Sequence, residues 1–465
     1  MTTHSLERAI ALAAVAHAGG KDKGGAPYIL HPLRVMLGVE GEDAQIAAVL
    51  HDIVEDTPVT LAQLRELGFS EHIITAVAAL TKHRGDEADY FGFVERAGKN
   101  DIARPVKLAD IEDNLDLSRI PEPTERDEGR LLRYRRARKL LHLISRERGD
   151  TADRAPTIMP LRGKITAAEV EAECPGRRPI QVCDFYVQGA EDGKKAPGGM
   201  EFGRILNVDH HAPLARMRTP ITSTILAAEY LRGHKPGGPA PWVVINHTDC
   251  DSMLSSAMLM GLVEPTDYLV DASVCADHTG KEHPVADLLQ ALDEARDGDR
   301  TEDQYLESLR NLRQLLAGGA LDGAAKRALQ EREADRTRAA RLVEEGTVRT
   351  DASLACGVLD EEIDGAFFPP LLPDAAVIML ATPSGDDASR WIVKLRLGQA
   401  AWPGLTLHTL RVSDWDSNYG GRWNAGGNKR SACEKSLGPV GTSLEPEAYA
   451  EKLRERLARG LGGAA

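Results

Sequence analysis

Features typical of exported and membrane proteins are scarce in this 465-residue chain. Its six cysteines are widely spaced and form no C-x-x-C pair, which argues against a disulfide framework or a zinc ribbon and indicates reduced thiols. No uncharged apolar run is long enough to span a bilayer. The apolar stretch at 9–18 follows Glu7 and Arg8, so it predicts an amphipathic helix and not a signal peptide. We therefore expect a cytoplasmic protein without a membrane partner.

A positive net charge is also lacking. The formal net charge is −14, which disfavours binding to nucleic acid or to an anionic membrane surface. A phosphate-bearing substrate would therefore need a local positive site, such as a metal ion or a group of lysines. Hydrophobic residues make up 42% and charged residues 28%, as in an ordinary globular protein. The length suggests roughly three domains.

Residues 1–148 predict an all-α domain. Apolar residues recur at helical spacing in the segments 5–17, 31–38, 43–54, 60–68, 71–81, 101–117 and 126–145. Gly, Pro and Asp separate these segments. The last one carries the basic run "RYRRARK" at 133–139, which is either the solvated face of its helix or a phosphate-binding surface. Residues 149–160 predict a linker.

From residue 161 the pattern changes to alternating strands and helices. Short apolar runs predict strands at 179–187, 204–209, 241–246 and 267–271, with helices at 221–232 and 252–262. This alternation predicts an α/β domain over 161–352 with a largely parallel sheet and a helical insertion near 284–347. A smaller C-terminal α/β subdomain is expected over 353–465, with strands at 375–382, 390–397 and 405–412 and a final helix at 446–460.

The stretch "LHDIVEDT" at 50–57 places four titratable side chains after an apolar helical run. On a continuous helix, His51 would share a face with Glu55, and Asp52 with Asp56. Crowded carboxylates repel one another unless a positive charge lies between them, and a divalent cation would meet that need. Glu55 and Asp56 could then deprotonate a metal-bound water. The alternative is an ordinary solvated helix face.

Two further segments can complete a metal site. His31 lies in "GGAPYILHPLRV" and Asp110 in "VKLADIEDNL". With His51 and Asp52 they supply two imidazoles and two carboxylates. That set suits Mn²⁺, Fe²⁺, Zn²⁺ or Mg²⁺ and leaves coordination positions for water.

The patterns A-H-x-G-x(n)-G-x-P-Y-I-x-H-P, H-D-x-x-E-D-T and K-L-A-D-x-x-x-N occur in this order. They resemble the HD phosphohydrolase domain of RelA/SpoT-type alarmone enzymes, most closely the small hydrolase-only members, over about residues 5–145. The resemblance implies Mn²⁺-dependent hydrolysis of the 3′-pyrophosphate of ppGpp or pppGpp, with release of pyrophosphate. It also implies metal ligands at His31, His51, Asp52 and Asp110, water activation by Glu55 and Asp56, and a substrate pocket lined by Lys21, Lys23, Tyr28 and Asn114.

The chain departs from that family around the expected nucleotide. Asp22 stands where the family has an arginine, and Gly20 where it has a glutamine. The usual R-L-H after K-L-A-D is Ile111, Glu112 and Asp113 here. The expected metal ligands are unaffected, whereas guanine specificity is in question. Hydrolysis of another nucleotide, such as an adenine alarmone, therefore stays open.

A second group of His and Asp residues follows the predicted strands of the 161–352 domain. Ligands gather at the carboxyl ends of strands in open α/β sheets. The runs "NVDHH", "NHTDCDS" and "CADHTG" each place such residues after an apolar run. They predict a one- or two-metal phosphoesterase centre, with candidate ligands Asp209, His210, His247, Asp249, Asp251 and Asp277.

These pieces resemble the DHH phosphoesterase family, whose members hold Mn²⁺ or Mg²⁺ with a D-x-D loop and a DHH triplet. The family's glycine-rich substrate loop is similar to "YGGRWNAGGNKR" at 419–430, which implies phosphate binding by Arg422, Lys429 and Arg430. The order differs here, because the D-x-D loop follows the triplet. Either the domain is permuted or one match is chance, and Asp184 is a spare ligand candidate.

Together the two resemblances predict a bifunctional cytoplasmic phosphohydrolase that acts on a small phosphorylated nucleotide. A rival of another class is a nucleotide sensor in which one domain binds its ligand and does not turn it over. The sequence predicts no oligomeric state.

Overall fold

The computed structural model describes residues 6–116, 125–147, 155–161, 165–210, 221–234, 239–385, 387, 389–421, 424–429 and 440–461. The chain divides into two compact units. The first comprises residues 1–152, 171–178 and 238–240, and the second residues 153–170, 179–237 and 241–465. No described helix combines the length and hydropathy needed to cross a membrane.

The described part of the first unit is built on α-helices, as its apolar spacing predicts. They are α1 (Leu6–Ala16), α2 (Leu30–Leu37), α3 (Glu42–Leu50), α4 (Ile53–Asp56), α5 (Leu61–Glu66), α6 (Glu71–Leu80), α7 (Tyr90–Lys99), α8 (Ala103–Leu115) and α9 (Glu125–Glu147).

A shared core fixes the helices that carry the candidate ligands. In α6, Ser70 caps the N-terminus by accepting a hydrogen bond from the backbone N–H of Ile73, and Ile73, Val77 and Leu80 are buried. Each such burial contributes about 1.5–3 kcal/mol. Buried residues of α1, α2, α3, α6 and α8 belong to one apolar cluster. The positions of α2, α3 and α8 are therefore set by packing, independently of any ligand.

Helix α7 is not predicted from the sequence. Gly92 and Gly98 lower its intrinsic helix propensity. Its apolar residues Phe93 and Val94 are nevertheless fully buried. A Cβ atom at position 98 would lie 2.6 Å from Cδ1 of Ile144, so the glycine permits close packing against α9. Tertiary packing thus overrides a weak local preference.

Within the part of the second unit that the structure describes, the strands form two six-stranded sheets and a two-stranded one. The strands, in chain order, are β1 (Thr157–Ile158), β2 (Ile165–Thr166), β3 (Ile180–Cys183), β4 (Val187–Gln188), β5 (Lys194–Ala196), β6 (Gly199–Phe202), β7 (Ile205–Val208), β8 (Trp242–Ile245), β9 (Val348–Asp351), β10 (Leu354–Val358), β11 (Val377–Pro383), β12 (Trp391–Leu397), β13 (Gly420–Gly421) and β14 (Ala425–Gly427). The remaining helices among the described residues are α10 (Ala167–Glu173), α11 (Ser223–Gly233), α12 (Cys250–Leu259), α13 (Asp267–Val274), α14 (Pro284–Glu294), α15 (Glu302–Leu316), α16 (Gly323–Glu344) and α17 (Pro446–Leu461).

The first large sheet has the order β1-β8-β3-β7-β6-β5. Strands β1, β8, β3 and β7 pair in parallel, and β6 and β5 extend the sheet in antiparallel fashion. Every residue of β3, β7 and β8 is buried, which explains their continuous apolar runs. The second large sheet has the order β13-β14-β12-β11-β10-β9.

Two predicted strands are wrong. The segment 267–271 belongs to α13, because the Thr266 side chain caps the helix by accepting from the backbone N–H of Leu269. The segment 405–412 consists of turns, since the hydroxyls of Thr406 and Thr409 accept from each other's backbone N–H groups at 3.1 Å and replace a strand ladder. Both segments contain apolar runs that periodicity alone does not assign to a strand.

Candidate metal centres

Helix α3 ends one residue before the histidine of "LHDIVEDT", so the expected continuous helix is wrong. Nδ1 of His51 lies 2.7 Å from the carbonyl oxygen of Ala48. The imidazole N–H therefore donates to a backbone carbonyl of the preceding helical turn. Asp52 adopts φ −99° and ψ −3°, a sparsely populated region, before α4 begins. The break brings the two side chains together, with His51 Nε2 3.0 Å from Asp52 Oδ2.

Four predicted ligands converge from α2, the break between α3 and α4, and α8. His31 Nε2 lies 3.3 Å from Asp110 Oδ1 and 3.6 Å from Asp52 Oδ2. His51 Nε2 lies 3.8 Å from Asp110 Oδ1. One ligand atom from each of His31, His51 and Asp110 lies within 4.8 Å of the other two. This spacing suits one cation, because ligand atoms about 2 Å from a metal lie about 3–4 Å apart.

The carboxylates of this cluster favour positive charge on the neighbouring imidazoles, a charge that a bound divalent cation would supply in place of the imidazole protons. Nε2 of His51 is buried and faces the carboxylates of Asp52 and Asp110, so it would be a metal ligand once its proton is displaced. Burial opposes charge on Asp52, but the adjacent His51 outweighs it and lowers the pKa of that carboxyl. Burial likewise opposes charge on His31, and the carboxylates of Asp110 and Asp113 outweigh it and raise the pKa to about 9.

Three polar side chains hold the two carboxylates in place. Tyr28 Oη donates to Asp52 Oδ2 at 2.6 Å. Lys107 Nζ donates to Asp110 Oδ2 at 2.7 Å, and Asn114 Nδ2 donates to Asp110 Oδ1 at 2.7 Å. Tyr28 and Asn114, predicted as pocket residues, border the adjacent cavity and also contact the candidate ligands.

The acidic pair Glu55 and Asp56 borders the same cavity. Glu55 accepts from the backbone N–H of Lys82 at 2.6 Å and from Lys82 Nζ at 3.1 Å, which fixes its carboxylate. Asp56 lies near enough to Tyr28 to raise the pKa of its phenol, after the larger effects of burial and of Asp52. Both carboxylates are therefore beside the four-ligand cluster without belonging to it.

A cavity of about 720 Å³ opens beside the four ligands, a volume that suits a nucleotide. Lys21 and Lys23 line it as predicted. Further cationic and aromatic residues also line it: Lys82, Tyr90, Lys107, Arg130, Arg133 and Tyr134. The Arg133 guanidinium lies 4.7 Å from the centre of the Tyr90 ring. The basic run at 133–139 thus contributes its first two residues to the cavity wall.

In the second unit, Asp184 joins two groups of potential ligands. It follows β3 with φ 59°, a left-handed conformation that is strained for a residue with a side chain and recurs at functional sites. Its Oδ1 lies 3.4 Å from His210 Nε2, and its Oδ2 lies 3.1 Å from His247 Nε2. Asp251 completes the first group and Asp249 the second. Asp184 is thus placed like a carboxylate that bridges two cations.

Asp277 extends the group around His210. It lies on the π-helical turn Cys275–Thr279 that follows α13, and not at the end of a strand as expected. Its Oδ2 is 3.0 Å from His210 Nε2, and His278 forms a third potential ligand group with both. His278 lies in the run "CADHTG", which was expected to contribute to this centre, but only Asp277 of that run was chosen as a candidate ligand.

Asp251 shows why this cluster suits cations. Its carboxylate accepts from the backbone N–H groups of Ser223 at 2.6 Å and Thr224 at 2.7 Å, at the start of α11. Burial, together with the carboxylates of Asp184 and Asp277, raises the pKa of Asp251 well above its ordinary value. A cation between these carboxylates would offset their repulsion.

The other candidates of the second unit are distributed differently. Asp209 is buried but belongs to none of the ligand groups found among the described residues. Arg422 and Arg430 lie outside the described residues. Lys429 lines a cavity of about 560 Å³, with Lys394 and the glycines of β13 and β14.

That cavity is connected to the second ligand cluster. Arg396 lines it and donates from Nη2 to the backbone carbonyl of Asp277 at 2.9 Å. Glu362 also lines it and accepts from Lys429 Nζ at 2.5 Å. The cavity therefore offers cationic side chains beside the cluster, and the carboxylates of Glu362 and Asp364 partly neutralise them.

No family model matches this chain. Over 121 residues it is 33% identical to a guanosine-3′,5′-bis(diphosphate) 3′-pyrophosphohydrolase of Aquifex aeolicus, covering 24% of this chain and 17% of that protein. Over 84 residues it is 39% identical to a GTP pyrophosphokinase of Myxococcus xanthus, covering 17% and 11%. The chain thus spans less than a fifth of the length of these curated relatives. The predicted resemblance to (p)ppGpp pyrophosphohydrolases is confirmed over that stretch.

Two solved structures are also similar. One is a metazoan ortholog of SpoT that hydrolyzes ppGpp, with 22% identity and a TM-score of 0.27, covering 32% of this chain and 98% of that one. The other is a pGpG-specific phosphodiesterase from Vibrio cholerae, with 10% identity and a TM-score of 0.29, covering 41% and 66%.

Proposed function

We propose that the first unit is a metal-dependent hydrolase that removes the 3′-pyrophosphate of ppGpp or pppGpp and releases it as pyrophosphate. One observation carries the proposal: the imidazoles and carboxylates of "LHDIVEDT", "ILHP" and "KLAD" meet within ligand distance of one another. The curated relatives named as 3′-pyrophosphohydrolases support the choice of substrate.

The residues divide the chemistry between them. His31, His51, Asp52 and Asp110 would hold a divalent cation, proposed to be Mn²⁺, which when bound polarises a phosphoryl group and acidifies a water. Lys82 contacts both oxygens of Glu55. Because this contact fixes the Glu55 carboxylate, we assign Glu55 to orienting the attacking water and Asp56 to accepting the proton of that water.

The cavity lining suits a highly phosphorylated nucleotide. Lys21, Lys23, Arg130 and Arg133 offer positive charge to phosphate groups. Tyr90 and Tyr134 offer ring faces, which can stack on a base of either purine. The lining therefore supports a phosphorylated nucleotide without selecting its base, and guanine is the choice that the relatives favour.

Substrate profiling tests this proposal. The full-length chain is incubated with Mn²⁺ and ppGpp, pppGpp or the adenine counterparts, and pyrophosphate and nucleotide products are separated by ion-exchange chromatography. We expect pyrophosphate from the guanine compounds, and background release from His51→Ala. Preference for the adenine compounds would support the rival hydrolase. Tight nucleotide binding without turnover would support the sensor.

We also propose that the second unit is a phosphoesterase that uses two cations. The sharing of Asp184 between two ligand groups favours this activity, and the cavity beside Asp277 offers Lys394, Arg396 and Lys429 to a phosphorylated substrate. Hydrolysis of bis(p-nitrophenyl) phosphate with Mn²⁺ or Mg²⁺ is the test. Asp184→Asn should abolish it and His51→Ala should not. Equal losses in both variants would contradict a separate second centre.

A further inference from the structure

Asp113 joins a predicted metal ligand to an arginine in the first unit. Its Oδ2 lies 2.7 Å from Nδ1 of His31. Its Oδ1 accepts from Nε of Arg34 at 2.6 Å, and its Oδ2 from Nη2 of Arg34 at 3.2 Å. The side chains of His31 and Asp113 are only 10% and 12% exposed. The His31–Asp113 contact is therefore largely shielded from water.

The two nitrogens of His31 face different partners. Nε2 faces the carboxylates of Asp110 and Asp52, whereas Nδ1 faces Asp113. A neutral imidazole carries one N–H, and a carboxylate beside Nδ1 places that N–H there. The Nε2 lone pair is then directed toward the other ligands. The opposite tautomer would place a proton where the cation must bind.

Helix geometry explains how this arrangement is built. Asp113 follows Asp110 by three residues on α8, and Arg34 follows His31 by three residues on α2, so each pair shares a helix face. The two faces meet, and α8 supplies both one ligand and the partner of another. Asp113 is also one of the positions where the sequence departs from the alarmone-hydrolase pattern. That departure therefore bears on the metal site.

We propose that Asp113 is a positioning residue that holds His31 in the tautomer required for metal binding, with Arg34 fixing the Asp113 carboxylate. A carboxylate on the far nitrogen of a ligating histidine orients the ring and strengthens the metal–ligand bond. The inference rests on the proposed function, because it requires a cation at His31. It concerns metal affinity and not the choice of nucleotide.

Calorimetric titration of Mn²⁺ into the metal-free full-length chain tests the inference. The binding event that His51→Ala removes identifies the site of the first unit. In Asp113→Asn we expect that event to weaken about tenfold, the range seen for such outer partners. Asp113→Glu, which restores a carboxylate, should recover part of the affinity. Glu112→Gln is the matched control, since it removes the same charge from an exposed neighbouring position.

The possible outcomes are distinguishable. Unchanged affinity in Asp113→Asn, or an equal loss in Glu112→Gln, would overturn the inference. Thermal unfolding of the metal-free variants checks that they fold. If Asp113→Asn does not fold, Arg34→Lys serves instead, because it keeps the positive charge and loses the two-nitrogen contact with Asp113. Arg34→Lys should weaken Mn²⁺ binding. Unchanged Mn²⁺ affinity in that variant would overturn the inference. A wild-type chain without any His51-dependent Mn²⁺ site would overturn the proposed function itself.

Discussion

Tyr28 donates a 2.6 Å hydrogen bond to the same Asp52 oxygen that lies 3.0 Å from Nε2 of His51. The phenol thereby ties the glycine-rich loop before α2 to the metal site. That loop also contains Lys21 and Lys23, which line the cavity. The proposed substrate contacts of this loop and the ligand geometry at Asp52 are therefore structurally linked.

Tyr28→Phe tests that link. The ring is kept and the hydrogen bond to Asp52 is lost, so we expect kcat/KM for ppGpp hydrolysis to fall about tenfold, as for loss of a hydrogen bond to a charged group. Steady-state kinetics with Mn²⁺ is the measurement. Tyr268→Phe, a half-exposed tyrosine of the second unit, is the control and should keep wild-type kinetics. Equal kcat/KM values for Tyr28→Phe and Tyr268→Phe would show that the Tyr28 hydroxyl does not contribute to the site.

Lys107→Met should make stability depend on metal. Lys107 and Asp110 form a buried pair with side chains 8% and 9% exposed. Removing the ammonium leaves a buried carboxylate, which should cost about 3 kcal/mol of unfolding free energy in EDTA. Saturating Mn²⁺ would restore a positive charge beside Asp110 and shrink that loss. Urea unfolding with and without Mn²⁺ measures this loss of unfolding free energy, and Lys99→Met at an exposed position is the control. A loss in Lys107→Met that is equal with and without Mn²⁺ would argue against a cation at Asp110.

Arg133→Ala should weaken nucleotide binding more than turnover. Arg133 lines the cavity and lies over the Tyr90 ring, away from the four ligands. We expect KM for ppGpp to rise about tenfold while kcat changes little, because the interaction is made equally in ground and transition states. Arg135→Ala, on the exposed face of the same helix, is the matched control. A similar KM for Arg133→Ala and Arg135→Ala would show that the part of the cavity lined by Arg133 does not bind the nucleotide.

Asp184→Asn should separate the two centres. Because Asp184 contacts both ligand groups of the second unit, its substitution should lower the number of Mn²⁺ ions bound per chain while ppGpp hydrolysis is retained. Metal analysis after gel filtration and the pyrophosphate assay measure the two effects. Asp271→Asn, an exposed position on α13, is the control. Retention of all bound Mn²⁺ in Asp184→Asn would rule out a shared carboxylate.

The four ligands of the first unit could be selected from the sequence because each lies in a short motif with a specific chemical pattern. Their local geometry could not be predicted from the sequence. Helical spacing pairs His51 with Glu55, whereas the imidazole N–H engages the Ala48 carbonyl and breaks the helix. A side chain that competes with the backbone for one carbonyl oxygen leaves no trace in apolar periodicity.

Long-range partners account for most of what was missed. Asp113 lies within the "VKLADIEDNL" segment, but only the packing of α8 against α2 shows that it contacts the imidazole of His31. Asp184 was a spare candidate because a lone aspartate after a strand carries no motif. Its central place follows from the parallel order of β8, β3 and β7, which brings His210 and His247 to either side of it.

The central claim is that His31, His51, Asp52 and Asp110 share one cation. Anomalous diffraction from a crystal of the full-length chain soaked in Mn²⁺ tests this claim most directly. The account predicts a manganese peak about 2 Å from Nε2 of both histidines and from an oxygen of each aspartate. A crystal that binds Mn²⁺ elsewhere but shows no peak among these four side chains would contradict it.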